Sequence, residues 1–178
     1  MIDRERLAAL AAEHPARAGV YRNRFPTPRH GLGAFLRWQW DTRGQFPRHQ
    51  PFPLQQPDQQ RLANPGPQPQ LTWIGHATFL FQHRGWNMIT DPVFSERCSP
   101  LSFAGPKRAV PPALTVDDLP PINAVLVSHN HYDHLDRTSV KQLQARFGRE
   151  ILWFVPKGVA SWLRTLGVGR MTQLGRWP

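Results

Sequence analysis

The chain has 178 residues, with 22 Lys and Arg against 12 Asp and Glu, for a formal net charge of +10. That length suits one domain, or one domain behind an extended leader. The single cysteine, Cys98, excludes an intrachain disulfide, and no run approaches the roughly 18–20 apolar residues of a membrane-spanning helix.

Almost all the positive charge is arginine; the lysines are Lys107, Lys141 and Lys157. Such a surplus favours anionic partners such as phosphates, nucleic acid or an acidic lipid surface. It does not choose among them, and an ordinary basic surface accounts for it as well. The apolar stretch from Leu7 to Ala12 is too short and too Ala-rich for a signal peptide, and Glu13 and His14 follow at once. We therefore read the chain as cytoplasmic, with membrane contact at the surface only.

Residues 3–13 favour a short helix that stops near Pro15. Residues 32–40 favour a second, with Leu32, Phe35, Leu36 and Trp40 on one face. That stripe packs on the domain, or lies in a lipid interface with Arg37 and Arg43 meeting phosphates. From Pro47 to Gln70 the chain holds seven prolines and seven glutamines, which predicts an extended, irregular strap. Residues 1–70 thus read as a leader, and 71–178 as the start of a globular domain.

Leu71–Ile74, Thr78–Gln82 and Trp86–Thr90 read as strands, with His83-Arg84-Gly85 as the turn between the last two. A proline-rich loop follows from Asp91 to Pro121. Ala124–Ser128 reads as a buried strand, Arg137–Phe147 as a helix closed by Gly148, Ile151–Val155 as a strand, and Val159–Leu166 as a helix closed by Gly167. Strand and helix in alternation predict an α/β layer with parallel neighbours.

The run His129-Asn130-His131-Tyr132-Asp133-His134 follows the buried strand directly. Imidazole nitrogen and carboxylate oxygen are the donor set of a hydrolytic zinc site. His129 and His131 are two apart, so an extended segment points both to one side. Asp133 and His134 come after the chain bends and face a second point, which suits two cations about 3.5–4 Å apart. Three histidines and an aspartate at this spacing rarely arise for packing alone.

This motif resembles the signature of the metallo-β-lactamase superfamily. Thr72-Trp73-Ile74-Gly75-His76-Ala77-Thr78, Thr90-Asp91-Pro92, Gly105-Pro106-Lys107-Arg108, Leu119-Pro120-Pro121-Ile122, the stretch from Ser128 to Asp136, and Trp153-Phe154-Val155-Pro156 together resemble its N-acyl-phosphatidylethanolamine phospholipase D-like branch. The resemblance covers roughly residues 71–178. It implies an αββα sandwich with two zinc ions, a phosphodiester or phospholipid substrate, and hydrolysis by activated water. It assigns His129 and His131 to the first zinc, and Asp133 and His134, the catalytic pair, to the second. Asp91 would lie beneath the metal loop and orient it. His76, Lys107 and Arg108 would contact substrate. A lactone or nucleic acid is the alternative substrate, but the sequence has no RNA-binding module.

The family completes its site with a further His for each zinc and a bridging Asp, all in the later half of the domain. After His134 this sequence has no histidine, and its carboxylates are Asp136 and Glu150. It therefore supplies two ligands per cation, and reads as the first half of the sandwich: part of a longer enzyme, a chain completed by another, or a non-catalytic remnant. A missing second sheet would leave an apolar sheet face uncovered.

Overall fold

A computed structural model of the chain describes residues 31–42, 53, 55–101 and 103–175. The predicted helix at 3–13 and the first part of the Pro/Gln-rich strap lie outside them. The chain divides into two compact units, Met1–Pro51 with Arg176–Pro178, and Phe52–Gly175.

In the first unit, α1 (Leu32–Asp41) forms where the apolar spacing predicts it. Leu32, Phe35, Leu36 and Trp40 are exposed. Thr42 closes the helix through its backbone N–H and hydroxyl, both donating to the Trp38 carbonyl.

The second unit holds one six-stranded mixed sheet: β1 (Gln70–Gly75), β2 (Thr78–His83), β3 (Trp86–Thr90), β4 (Ala124–Leu126), β5 (Leu152–Pro156) and β6 (Met171–Leu174), paired in chain order. The first three strands are antiparallel and the rest parallel. Arg84 and Gly85, both at positive φ, join β2 to β3 as a two-residue turn, the geometry whose twist matches the strands it connects.

The strap expectation fails at α2 (Gln59–Ala63). The Asp58 carboxylate accepts the Gln60 and Arg61 N–H groups and caps the helix. Leu62 is buried, and the Gln82 amide donates to its carbonyl. Two departures are smaller: β4 stops at Leu126, and β6 was not foreseen because Met171–Leu174 has no clear alternation.

One sheet face is sealed. Leu80, Ile89, Val125, Trp153 and Val155 pack with Val140 and Leu143 of α3 (Arg137–Phe147) and Leu163 of α4 (Ala160–Arg164). Gly148 and Gly167 follow these helices at positive φ, as the C-terminal signals predict. The opposite face carries exposed Leu71, Trp73 and Trp86 and half-buried Phe79, Phe81 and Phe154, brought together by the strand register.

Candidate metal centre

The cluster lies where β4 ends. Val127 donates its N–H to Phe154, which keeps the chain on the sheet one residue past β4. Beyond Ser128 the backbone bends back: the His134 and Leu135 N–H groups both bond the His131 carbonyl. Asp136 then caps α3, accepting from the Thr138 and Ser139 N–H groups and from the Ser139 and Ser95 hydroxyls. The loop that carries the cluster is thus clamped between a buried strand and a capped helix.

Asp91 sits beneath it. It ends β3 at φ +36 and is buried. Its carboxylate accepts the Ser128 N–H at 2.7 Å, the Ser128 hydroxyl at 2.7 Å and His134 Nδ1–H at 2.9 Å. The Ser128 proton is thereby committed, so His129 Nδ1, 2.9 Å from that hydroxyl, is the donor in their bond. Through one carboxylate, both histidines carry their proton on Nδ1 and present an Nε2 lone pair outward. An arrangement of this kind is how imidazoles are oriented toward a metal ion.

His129 Nε2 and His131 Nδ1 approach to 3.1 Å. Two donors about 2.0–2.1 Å from one cation, at an angle of about 90–110°, lie about 2.9–3.4 Å apart, so this pair fits one ion. A second group, His76, Asp133 and His134, has donor atoms all within 4.8 Å of one another. Asp133 Oδ2 is 3.2 Å from His76 Nε2 and 3.6 Å from His134 Nε2. Partial burial opposes the Asp133 charge, but its own backbone N–H and the neighbouring His134 and His76 outweigh it. The carboxyl is held below its ordinary range, ready as an anionic ligand. The His129 and His134 rings lie 4.0 Å apart, so the two groups form one centre.

His76 arrives at the same end of the sheet from its edge strand, β1. A bulge between Trp73 and Gly75 ends β1, Gly75 takes φ +151, and His76 itself takes φ +49. Its carbonyl accepts the Trp73 indole N–H. Lys107 and Arg108 are committed elsewhere: Lys107 pairs with Glu96 at 2.5 Å, and Arg108 donates to the Val93 carbonyl at 2.9 Å. Both line a groove of about 1080 Å³ that reaches His76 and Asp133 and is walled by Leu71, Trp73 and Ile74. Ser128 is the important residue that the sequence reading left without a role. A hydroxyl directly before the first histidine of the motif was the available signal.

A clustered set of histidine and carboxylate donors, at the C-terminal edge of a mixed sheet, points to one class of protein: the β-lactamase superfamily. The chain belongs to it, since the β-lactamase superfamily domain matches residues 86–175. Among the proteins it is similar to are N-acyl-phosphatidylethanolamine-hydrolyzing phospholipases D. It is 47% identical over 98 residues to N-acyl-phosphatidylethanolamine-hydrolyzing phospholipase D 1 of Caenorhabditis elegans, covering 55% of this chain and 27% of that one. It is 41% identical over 123 residues to an uncharacterised protein of Mycobacterium tuberculosis, covering 66% and 31%. Among solved structures it resembles CmlA, a diiron β-hydroxylase of Streptomyces venezuelae, at 27% identity and a TM-score of 0.47, covering 62% of this chain and 21% of that one. The chain therefore spans less than a third of the curated relatives it matches.

Proposed function

We propose that this chain carries the first metal-binding segment of a zinc-dependent phosphodiesterase of the phospholipase D type, acting on N-acyl-phosphatidylethanolamine-like lipids. His129 and His131 hold one cation, and Asp133 and His134 the other. The carrying observation is that Asp91 fixes the tautomers of His129 and His134 so that both Nε2 lone pairs face the cluster. A hydrogen-bonded turn of ordinary polar residues has no need of that arrangement.

Two divalent cations supply Lewis acidity toward phosphoryl oxygens and bring the pKa of a bound water toward about 7. The protein's part is to hold the donors still with their lone pairs turned to one point. Ser128, between Asp91 and His129, transmits the orientation of one carboxylate to two imidazoles. The groove beside Asp133 offers apolar walls to acyl or glycerol carbons, with Arg108 on its lining. Lipid chemistry is supported by that apolar lining and by the phospholipase relative, and zinc by the nitrogen-rich donor set.

The test is hydrolysis of bis(p-nitrophenyl) phosphate and of N-acyl-phosphatidylethanolamine in vesicles, with zinc, by this chain and by any longer in-frame product. Release of phosphatidic acid and N-acylethanolamine is expected. If these substrates survive while a lactone or a β-lactam is opened, the substrate assignment is wrong.

A further inference from the structure

We infer that His76 is itself a metal ligand, and that with Asp133 and His134 it forms a three-donor cation site contained within this chain. The inference rests on the reading of the cluster as a metal centre, but not on any substrate.

Four observations carry it. First, the three donors converge: His76 Nε2 to Asp133 Oδ2 is 3.2 Å, Asp133 Oδ2 to His134 Nε2 is 3.6 Å, and the three lie within 4.8 Å of one another. Donors sharing one ion at about 2.0–2.2 Å stand about 2.9–3.5 Å apart. The His76–Asp133 spacing already satisfies this, and the His134–Asp133 spacing is about a tenth of an ångström wide. Second, His134 has its Nδ1–H bound to Asp91 at 2.9 Å, so its inward nitrogen is the one with a lone pair. Third, His76 sits at φ +49 after a bulge and a glycine at φ +151. A histidine at positive φ is uncommon and carries strain, and such strain gathers at ligand sites. Its effect here is to bring a β1–β2 loop residue within reach of residues 57 and 58 positions later. Fourth, the His76 and Asp133 side chains are 53% and 41% exposed while that of His134 is 18% exposed. The site is rooted on one side and open on the other, so water or a substrate oxygen can complete the coordination. Two histidines and one carboxylate with an open position is the protein ligand count of a catalytic zinc.

The test uses the 178-residue chain with Co2+ as an optical and paramagnetic probe and Zn2+ in competition. The key variant is His76→Asn, because Asn tolerates positive φ while its short amide falls away from Asp133. Far-UV circular dichroism controls for folding. We expect the unaltered chain to show a ligand-field band as Co2+ is added, and a hyperfine-shifted exchangeable proton from the His76 ring. His76→Asn should abolish that proton signal and weaken Co2+ binding by tenfold or more. Unchanged Co2+ affinity and spectrum in folded His76→Asn overturn the inference. If Asp133→Asn then abolishes binding, the metal-centre reading stands without His76. Absence of Co2+ binding by the unaltered chain also overturns the inference, and leaves the phosphodiesterase reading to the hydrolysis assay on a longer product.

Discussion

Asp91 binds three donors from the metal loop and has backbone strain of its own, so its substitution separates stability from orientation. Asp91→Asn suits the positive φ but offers one acceptor oxygen where the carboxylate offered two. Loss of a partner that orients a metal-binding histidine costs about 10- to 100-fold in metal affinity. We expect that loss in competition with a chelating dye, with a fall in stability of about 1–3 kcal/mol from the unmatched Ser128 and His134 donors. A wild-type affinity in Asp91→Asn would show that the loop holds its shape without it. Ser128→Ala should act in the same direction but less strongly, because it frees His129 and leaves the His134 bond to Asp91 intact.

At the scale of elements, capping and turn chemistry decide whether the loop is presented at all. Asp136 is buried and satisfies two backbone donors of α3 and two hydroxyls. Asp136→Ala should lower stability by about 2 kcal/mol, at the upper end for an N-cap, read as a shifted urea midpoint. The β2–β3 turn offers the opposite change. Arg84 takes φ +48 before Gly85 at φ +76, and Asn-Gly is the preferred pair for that geometry. Arg84→Asn should therefore raise stability by about 0.5 kcal/mol. A pH effect belongs to the turn at Val116–Asp118. Thr115 hydrogen bonds, from its hydroxyl and its backbone N–H, hold the Asp118 carboxyl below its ordinary value. A carboxyl depressed in the folded state contributes stability that is present above its unfolded pKa of about 4 and is lost as pH falls through the folded value. Thr115→Val should flatten that part of the acid limb of a stability–pH profile.

On the scale of the whole chain, the sheet is sealed on one face and open on the other. Leu71, Trp73 and Trp86 are more than half exposed and lie beside half-buried Phe79 and Phe81. A contiguous apolar patch of this kind drives association. The 178-residue chain should bind a hydrophobic dye and elute at a concentration-dependent size, and Leu71→Ser/Trp73→Ser should reduce both. Monomeric elution at all concentrations, with no dye binding, would contradict the open face.

Several features were legible from residue order because they depend on local rules. The strands at Trp86–Thr90 and Thr78–Gln82 follow from β-branched and aromatic runs bounded by the turn through Arg84 and Gly85. The Arg137–Phe147 helix follows from its period and its closing glycine. The H-x-H-x-D-H run announces metal chemistry because few packing needs call for that donor set. What the order of residues left open is the contact of residues far apart. Asp91 meets Ser128 and His134 across about forty positions, and His76 meets Asp133 across 57. The parallel pairing of β3 with β4 creates the first contact, and the bulge that ends β1 creates the second. The helix within the Pro/Gln-rich segment was hidden for the same reason: five residues have no stable helical preference of their own, and only the burial of Leu62 and the bond from Gln82 to its carbonyl make one. Donor chemistry is a property of side chains and can be read along a line. Donor geometry is a property of the sheet, and exists only once the strands are paired.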